Sequence, residues 1–235
     1  MKSLRRLAVY QGVTYPEYEI DFYTSDVYGK KFKNKNRALK PSRARDGYLL
    51  FCFIGPKKGF RTSTSQHGLL AETFYDLLPK SPLVSYYGLQ IAFQDRHELK
   101  TPTGFTFICN MVCPDHIDSN TANNSYKNLM IVTQSENLIK CGPRNIKYKG
   151  VYKRLNVGLN TFQVIICFKN ILDKNGKCFY MTKNFKTEEE AASAYNTMLE
   201  EAMLTIWGPE LGLKVYDLAH KNVIKAPIQE QLILR

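Results

Sequence analysis

The chain has 235 residues, of which 44% are hydrophobic and 23% charged, a composition typical of globular proteins that argues against a fibrous or wholly disordered chain. Its longest apolar runs, LLFCFI and VIICF, are far shorter than the ~18 residues of a transmembrane helix, and LAVY is too brief for a signal peptide, so we expect a cytoplasmic protein with reduced cysteines. The 33 lysines and arginines outnumber 21 acidic residues, and the net charge of +12 favours a polyanionic partner.

Residues 1–66 predict a small β-rich module, because the strand-like segments YEIDFY, KKFKN and GYLLFCFI are separated by turn signals. Between Lys30 and Arg61 lie eleven basic residues and one acid, so this stretch carries +10 of the +12. A solvated loop is one interpretation of such a run. The interleaved aromatic residues favour a nucleic-acid surface instead, whose phosphate contacts we predict to be Lys30, Lys31, Lys33, Lys35, Arg37, Lys40, Arg43 and Arg45.

A helix is predicted over His67–Leu78, after which Pro79 and Pro82 follow. Its apolar side is formed by Leu69, Leu70, Phe74, Leu77 and Leu78. His67, at the start of this helix, is interpreted as an isolated packing or capping residue. Residues 81–108 carry little pattern.

After Gly142-Pro143, three strand-like segments precede a helix that starts at Thr187, with Glu190 completing a capping box and an apolar stripe formed by Ala191, Ala194, Tyr195, Met198 and Ala202. We therefore predict an α+β fold: a small N-terminal β module, a central core, and a C-terminal three-stranded antiparallel sheet packed on one helix. Residues 221–235 would form a tail.

The central segment contains Asp115-His116, then Asn128 after eleven residues and Asn137 after eight more. A carboxylate and an amide oxygen are hard ligands that suit Mg²⁺, a role we assign to Asp115 and Asn137. A histidine beside the metal can take a proton from the attacking water, which is the role predicted for His116. Asn128 would hold the imidazole in one tautomer. Ser135 is predicted to cap the helix that carries Asn137. Together these residue types suit phosphodiester hydrolysis.

Asp115-His116, Asn123-Asn124, Asn128-Leu129 and VTQSEN resemble the HNH homing endonucleases, whose core is a ββα-metal fold. The resemblance implies metal ligands at Asp115 and Asn137, a general base at His116, and a loop-structuring Asn128 that orients the histidine. HGLLAETF resembles the helix that precedes such cores, although Gly68 stands where the family usually has arginine. The core would span residues 67–141, with residues 81–108 as an insertion.

The flanking regions resemble other modules. Through YEID, LKPSRARDGYLLFCFI and His67, residues 1–66 resemble the nuclease-associated β module. Through KYKGVYKR, TFQVIICF and NFKTEEEAASAYN, residues 146–220 resemble the ethylene-response-factor DNA-binding domain, which also occurs on phage HNH nucleases. The second resemblance implies DNA contacts on the C-terminal sheet, although residues 155–161 depart from the family's compact turn. The implied contact residues are Lys147, Lys149, Tyr152, Lys153, Arg154 and Gln163.

The favoured function is a site-directed, homing-type DNA endonuclease that uses Mg²⁺ or Mn²⁺ and acts as a monomer on double-stranded DNA, in the host cytoplasm if a phage encodes it. A non-catalytic DNA-binding protein and a basic RNA-binding protein remain alternatives. Cys109, Cys113 and Cys141 flank the core, but their spacing argues against a structural Zn²⁺, and we expect buried thiols.

Overall fold

The computed structural model describes residues 3–30, 37–54, 61–91, 96–143, 146–154 and 161–224. The chain divides into two compact units, Met1–Glu98 with Ile108–Leu138, and Leu99–Phe107 with Ile139–Arg235. The elements are helices and small antiparallel sheets, which confirms the predicted α+β class. Among the described residues, no helix has both the length and the apolar character needed to cross a bilayer.

The first unit begins with two three-stranded antiparallel sheets. One contains β1 (Arg5–Tyr10), β2 (Val13–Asp21) and β3 (Val27–Gly29), and the other contains β4 (Ser42–Arg43), β5 (Leu49–Ile54) and β6 (Arg61–Ser65). In β5 the buried Phe51 and Phe53 alternate with the exposed Cys52 and Ile54. This alternation is what a strand with one face on a core requires.

Helix α1 (Gln66–Thr73) is shorter than the helix predicted to reach Leu78. Ser65 caps it by accepting a hydrogen bond from the Gly68 amide. The helix ends early because the chain soon extends to pair with Ile131, whose amide donates to the Pro79 carbonyl over 2.9 Å. The apolar side chains predicted on one side of this segment are buried, apart from Leu77, which is 43% exposed.

A strand–strand–helix element follows. Helix α2 (Pro82–Tyr87) and strands β7 (His97–Lys100) and β8 (Thr106–Cys109) lead into β9 (Val112–His116), which pairs antiparallel with β10 (Leu129–Thr133). Helix α3 (Gln134–Lys140) starts directly after β10. The segment between β9 and β10 is polar and includes a 3₁₀ turn at Tyr126–Asn128. The predicted ββα arrangement is therefore present.

The second unit contains β11 (Val151–Arg154), β12 (Thr161–Leu172), β13 (Cys178–Phe185) and α4 (Glu188–Leu218). The predicted capping box of Thr187 and Glu190 is confirmed. The sheet has five strands rather than the predicted three, because β8 and β7 extend it beyond β12. The predicted insertion thus contributes to two strands of this sheet.

The start of α3 differs from the prediction. Thr133, rather than Ser135, caps the helix, since its hydroxyl accepts from the Glu136 amide over 3.2 Å. The Glu136 carboxylate accepts in turn from the Thr133 amide and hydroxyl, which makes a reciprocal capping box. The same carboxylate accepts from the Ser81 hydroxyl and the Leu83 amide at the start of α2. Glu136 is 1% exposed, and this burial raises the pKa of its carboxyl group while the four donors oppose the rise.

We predict that Glu136→Ala will lower the free energy of unfolding by about 3 kcal/mol or more, because it leaves buried donors at Thr133, Ser81 and Leu83 without an acceptor. Urea unfolding followed by circular dichroism measures the loss. Glu210→Ala is the control: its carboxylate pairs with Lys214 on an exposed face of α4, so stability should barely change. A Glu136→Ala protein as stable as this control would show that the carboxylate does not hold α2 and α3.

Candidate active site

The ββα element places Asp115 and His116 together at the end of β9. Asp115 lies opposite Met130 of β10, and His116 lies opposite Leu129. Successive side chains of a strand point to opposite faces. Accordingly His116 is 3% exposed, whereas Asp115 is only half-buried. The two predicted functional groups therefore have different surroundings.

The Asp115 face of β9 adjoins helix α3. Cys113 shares this face with Asp115, and its thiol hydrogen-bonds to the side chain of Asn137. Burial raises the pKa of Cys113 to about 11, the Asn137 hydrogen bond opposes the rise, and the negative charge of Asp115 adds to it. Asp115 and Asn137 thus both interact with one thiol, although they lie on different elements.

The donor chemistry of this face suits a hard divalent cation. Asp115 supplies a carboxylate and Asn137 an amide oxygen, and both residues are half-buried, so a cation held there would keep bound water as Mg²⁺ prefers. In the described part of the chain, no group of three or more histidine, cysteine or acidic side chains could hold a metal. None of the six cysteines forms a disulfide bond; Cys109 is buried, whereas Cys113 and Cys141 are half-buried.

The His116 side of the site is a cluster of rings and amides. The His116 Nε2 atom lies 2.8 Å from Oδ1 of Asn124. The His67 ring centroid lies 5.0 Å from that of His116, and the Tyr48 ring lies 4.7 Å from His67 and 6.0 Å from His116. These contacts bring together residues from the β4–β5 connection, α1, β9 and the polar segment after β9.

His67 is not the isolated residue that the sequence indicated. Burial lowers the pKa of His67 to about 4, and the neighbouring imidazole of His116 contributes to the fall. The His67 Nδ1 atom is buried without a hydrogen-bond partner, while Nε2 lies 3.4 Å from the Ser65 hydroxyl. Sequence reasoning missed this residue because no linear pattern connects the start of α1 with the end of β9.

Asn128 organises the polar segment between β9 and β10. Its side-chain oxygen accepts from the Asp118 amide, and its amide nitrogen donates to the Asp118 carboxylate and to the Asn123 carbonyl. The Asn128 carbonyl accepts from the Ile117 amide next to His116. These bonds agree with a loop-structuring role. The amide that contacts the His116 ring, however, belongs to Asn124, for which the sequence predicted no role of its own.

The predicted basic contacts of the first region are only partly described. Lys31, Lys33 and Lys35 lie outside the described residues, and Lys30 pairs with Glu19 over 3.2 Å. The turn that follows Arg45 contacts the polar segment, since the Thr121 hydroxyl donates to the Asp46 carbonyl. The β4–β5 connection, which contains Arg45, therefore adjoins the segment that carries Asn124. Four of the predicted contacts of this region are exposed, namely Arg37, Lys40, Arg43 and Arg45.

The predicted contacts of the C-terminal sheet divide by strand register. Tyr152 lies opposite Gln163, and Arg154 lies opposite Thr161, so Tyr152, Arg154 and Gln163 share one sheet face. Lys153 belongs to the alternate set of residues, although it too is exposed.

The remaining two predicted contacts, Lys147 and Lys149, bind groups of the protein itself. Lys147 forms ion pairs with Glu188 and Glu189 at the start of α4. The Lys149 ammonium group donates to the Ile139 and Cys141 carbonyls, and burial lowers the pKa of Lys149 to about 8. Lys149 thus joins separate stretches of backbone.

The depressed pKa of His67 predicts a loss of stability in acid. The unfolded chain takes up a proton near pH 6.5, whereas the folded chain does so only near pH 4, so protonation between these values favours unfolding. The stabilising contribution of neutral His67 is complete above about pH 6.5 and falls as the pH approaches about 4, by an amount on the order of 2 to 3 kcal/mol. We predict that His67→Phe, which keeps an apolar ring beside Tyr48, will flatten this dependence.

Urea unfolding of both proteins at about pH 7.5, 5.5 and 4.5 measures the effect, since these values span the interval between the two pKa values. The control is His97→Asn, at an exposed position in β7, which should keep the wild-type dependence. If His67→Phe loses as much stability in acid as the wild-type protein does, another group is responsible.

Comparison with known proteins identifies the same segment. Residues 111–139 match the family described as HNH endonuclease. A protein of Acanthamoeba polyphaga mimivirus described as an uncharacterized HNH endonuclease is 37% identical over 87 residues, which are 37% of this chain and 41% of the viral protein. The match thus spans about two fifths of the relative's length. The solved structure of the HNH homing endonuclease I-HmuI is similar over 76% of each chain, with 19% identity and a TM-score of 0.34.

Proposed function

We propose that this protein is a homing-type DNA endonuclease that hydrolyses phosphodiester bonds with the help of one divalent metal ion. The observation that carries the proposal is the shared environment of Asp115 and Asn137 beside His116 on a ββα element. The match of residues 111–139 to the HNH endonuclease family supports it, because that segment contains all three side chains.

In this proposal Asp115 and Asn137 hold Mg²⁺ or Mn²⁺ through oxygen atoms. The metal ion, when bound, supplies positive charge that stabilises the phosphate oxygens as they become more negative. Two protein ligands are enough for such an ion, which usually binds through one or two carboxylates, substrate oxygens and water. The half-buried setting of both residues leaves room for those other ligands.

His116 is the proposed general base, which removes a proton from the attacking water. Its backbone is fixed by pairing with Leu129, and its ring is held by Asn124 among the rings of Tyr48 and His67. Asn128 contributes by ordering the polar segment that carries Asn124. A ring that is already oriented loses less freedom when the water binds, which is how such packing assists catalysis.

Double-stranded DNA is the proposed substrate and partner. The exposed Arg43 and Arg45 offer charge to the phosphate backbone beside the polar segment of the site. The face that carries Tyr152, Arg154 and Gln163 offers one cation and two hydrogen-bonding groups on neighbouring strands. We therefore assign affinity mainly to the first surface and sequence preference to the second.

We predict that Asp115→Ala and Asn137→Ala will each abolish cleavage, because a site with two protein ligands has no redundancy. His116→Ala should lose roughly 10²- to 10⁴-fold in cleavage rate, the usual contribution of general acid–base catalysis. DNA binding should survive in all three. The measurement is conversion of supercoiled DNA carrying candidate sites to nicked and linear forms with Mg²⁺ or Mn²⁺, alongside binding in EDTA.

Glu98→Ala, which removes an exposed carboxylate paired with Arg96, serves as the control and should cleave at the wild-type rate. Wild-type cleavage by Asp115→Ala would refute the ligand assignment. Absence of cleavage by the intact protein, with binding retained, would instead favour the non-catalytic DNA-binding protein.

Substitutions of Arg43 and Arg45 should affect DNA binding differently from substitutions of Tyr152 and Arg154. Arg43→Gln with Arg45→Gln should weaken binding to every sequence and reduce the slope of log K against log salt by about 0.9 for each phosphate that the protein no longer neutralises. Tyr152→Ala with Arg154→Ala should lower the preference for a selected site over a scrambled duplex. Fluorescence anisotropy from about 50 to 200 mM salt separates the two, since this range changes phosphate-dominated binding strongly.

Lys174→Gln, in the exposed turn between β12 and β13, is the control for the removal of one positive charge. An unchanged preference for the selected site in the Tyr152→Ala and Arg154→Ala protein would exclude the C-terminal sheet as the reader of sequence.

A further inference from the structure

A chain of buried polar groups ends at the His116 ring. Gln66 donates from Nε2 to the Ser25 carbonyl over 2.7 Å, and Asn124 donates from Nδ2 to Oε1 of Gln66 over 2.9 Å. Oδ1 of Asn124 then lies 2.8 Å from Nε2 of His116. All of these residues are buried, so water competes little with their hydrogen bonds.

The Ser25 carbonyl sets which atom donates and which accepts in each hydrogen bond of this series. A backbone carbonyl can only accept, so Gln66 must present its NH₂ group to Ser25 and its oxygen to Asn124. That oxygen can only accept, so Asn124 must donate to it and must turn its own oxygen to His116. The orientation of both amides therefore follows from the position of one carbonyl group rather than from a choice between similar atoms.

The last bond determines the tautomer of His116. Because Oδ1 of Asn124 can only accept, Nε2 of His116 must carry a proton, and in the neutral ring the basic lone pair is then on Nδ1. We infer that Gln66 and Asn124 are positioning residues. Their series of hydrogen bonds from the Ser25 carbonyl to the His116 ring, called the relay below, keeps the proton on Nε2 and fixes Nδ1 as the basic atom of His116. This inference rests on the proposed function, in which His116 is the general base.

The Ser25 carbonyl is itself held in place. Ser25 has a φ of +61°, which is unusual for a residue other than glycine, and its amide donates to the Asp21 carbonyl over 2.9 Å. The Asp21 carboxylate accepts from the Tyr23 and Thr24 amides in the same turn. The Ser25 hydroxyl donates to the Asn124 carbonyl over 2.6 Å, which closes a ring of hydrogen bonds. A strained turn held by this many contacts gives the relay a fixed origin.

The experiment measures the tautomer of His116 directly, by the ring ¹⁵N chemical shifts of the whole protein labelled at histidine, at a pH where the ring is neutral. The chain has four histidines, and the His116→Ala spectrum assigns the relevant signals. We expect the wild-type ring to carry its proton on Nε2. A wild-type ring with the proton on Nδ1 would overturn the relay whether or not any variant folds.

Two substitutions of Gln66 then separate positioning from packing. Gln66→Met keeps the length of the side chain but removes its polar groups, so Asn124 can turn over and the two tautomers should become mixed. Gln66→Glu keeps an acceptor for Asn124, so the Nε2–H tautomer should persist. Ser25→Ala removes one buried hydrogen bond to Asn124 but leaves the Ser25 carbonyl in place, so it too should keep the wild-type tautomer.

Cleavage kinetics provide the second measurement. Gln66→Met should lower kcat about tenfold or more, with little change in KM, because it alters the basic atom and not the DNA surface. Gln66→Glu should retain more activity than Gln66→Met. Cleavage that continues unchanged in Gln66→Met with mixed tautomers would refute the relay alone. The expected tautomers in a protein that never cleaves DNA would refute the proposed function and leave the hydrogen-bond assignment intact.

Discussion

The buried carboxylate of Glu136 determines where helix α3 begins, and the position of Asn137, a proposed metal ligand, depends on that start. A carboxylate removed from water must receive hydrogen bonds, and Glu136 obtains them from Thr133, Ser81 and Leu83. These donors lie on both β10 and the start of α2, so one side chain joins three elements. Asn137 is the next residue along α3, and its direction toward β9 follows from the placement of its neighbour.

The two faces of β9 explain how adjacent residues can take different roles. Alternation along the strand turns Asp115 toward Cys113 and Asn137, where solvent has access, and turns His116 into a packed cluster with His67 and Asn124. A metal ion needs open coordination positions, whereas a base needs a defined orientation. Under the proposed function, placing Asp115 and His116 on opposite sides of one strand end would meet both requirements.

The positive charge of the chain is distributed among unequal environments. Arg43 and Arg45 are exposed beside the polar segment, but Lys147 is neutralised by two glutamates and Lys149 is half-buried against carbonyl groups. A count of basic residues in a segment therefore overestimates the charge available to a polyanionic partner. The burial and the partners of each lysine decide whether it can bind phosphate.

Elements that depend on neighbouring residues can be predicted from the sequence, whereas the surroundings of His116 depend on contacts between distant segments. The capping box at Thr187 follows from local hydrogen bonding, which acts over a few positions, and the ββα order was implied by the resemblance of Asp115-His116 and VTQSEN to a known family. The prediction that Ser135 caps α3 was wrong, because Thr133 offers a similar hydroxyl nearby. The distant partners of Glu136, Ser81 and Leu83, select the start of the helix, and a local pattern does not contain them. The residues around His116 come from separate segments that no repeat or spacing relates to β9, since each polar group that packing removes from water must find a partner in whatever element lies nearest in space. They are Ser25, Gln66, His67 and Asn124.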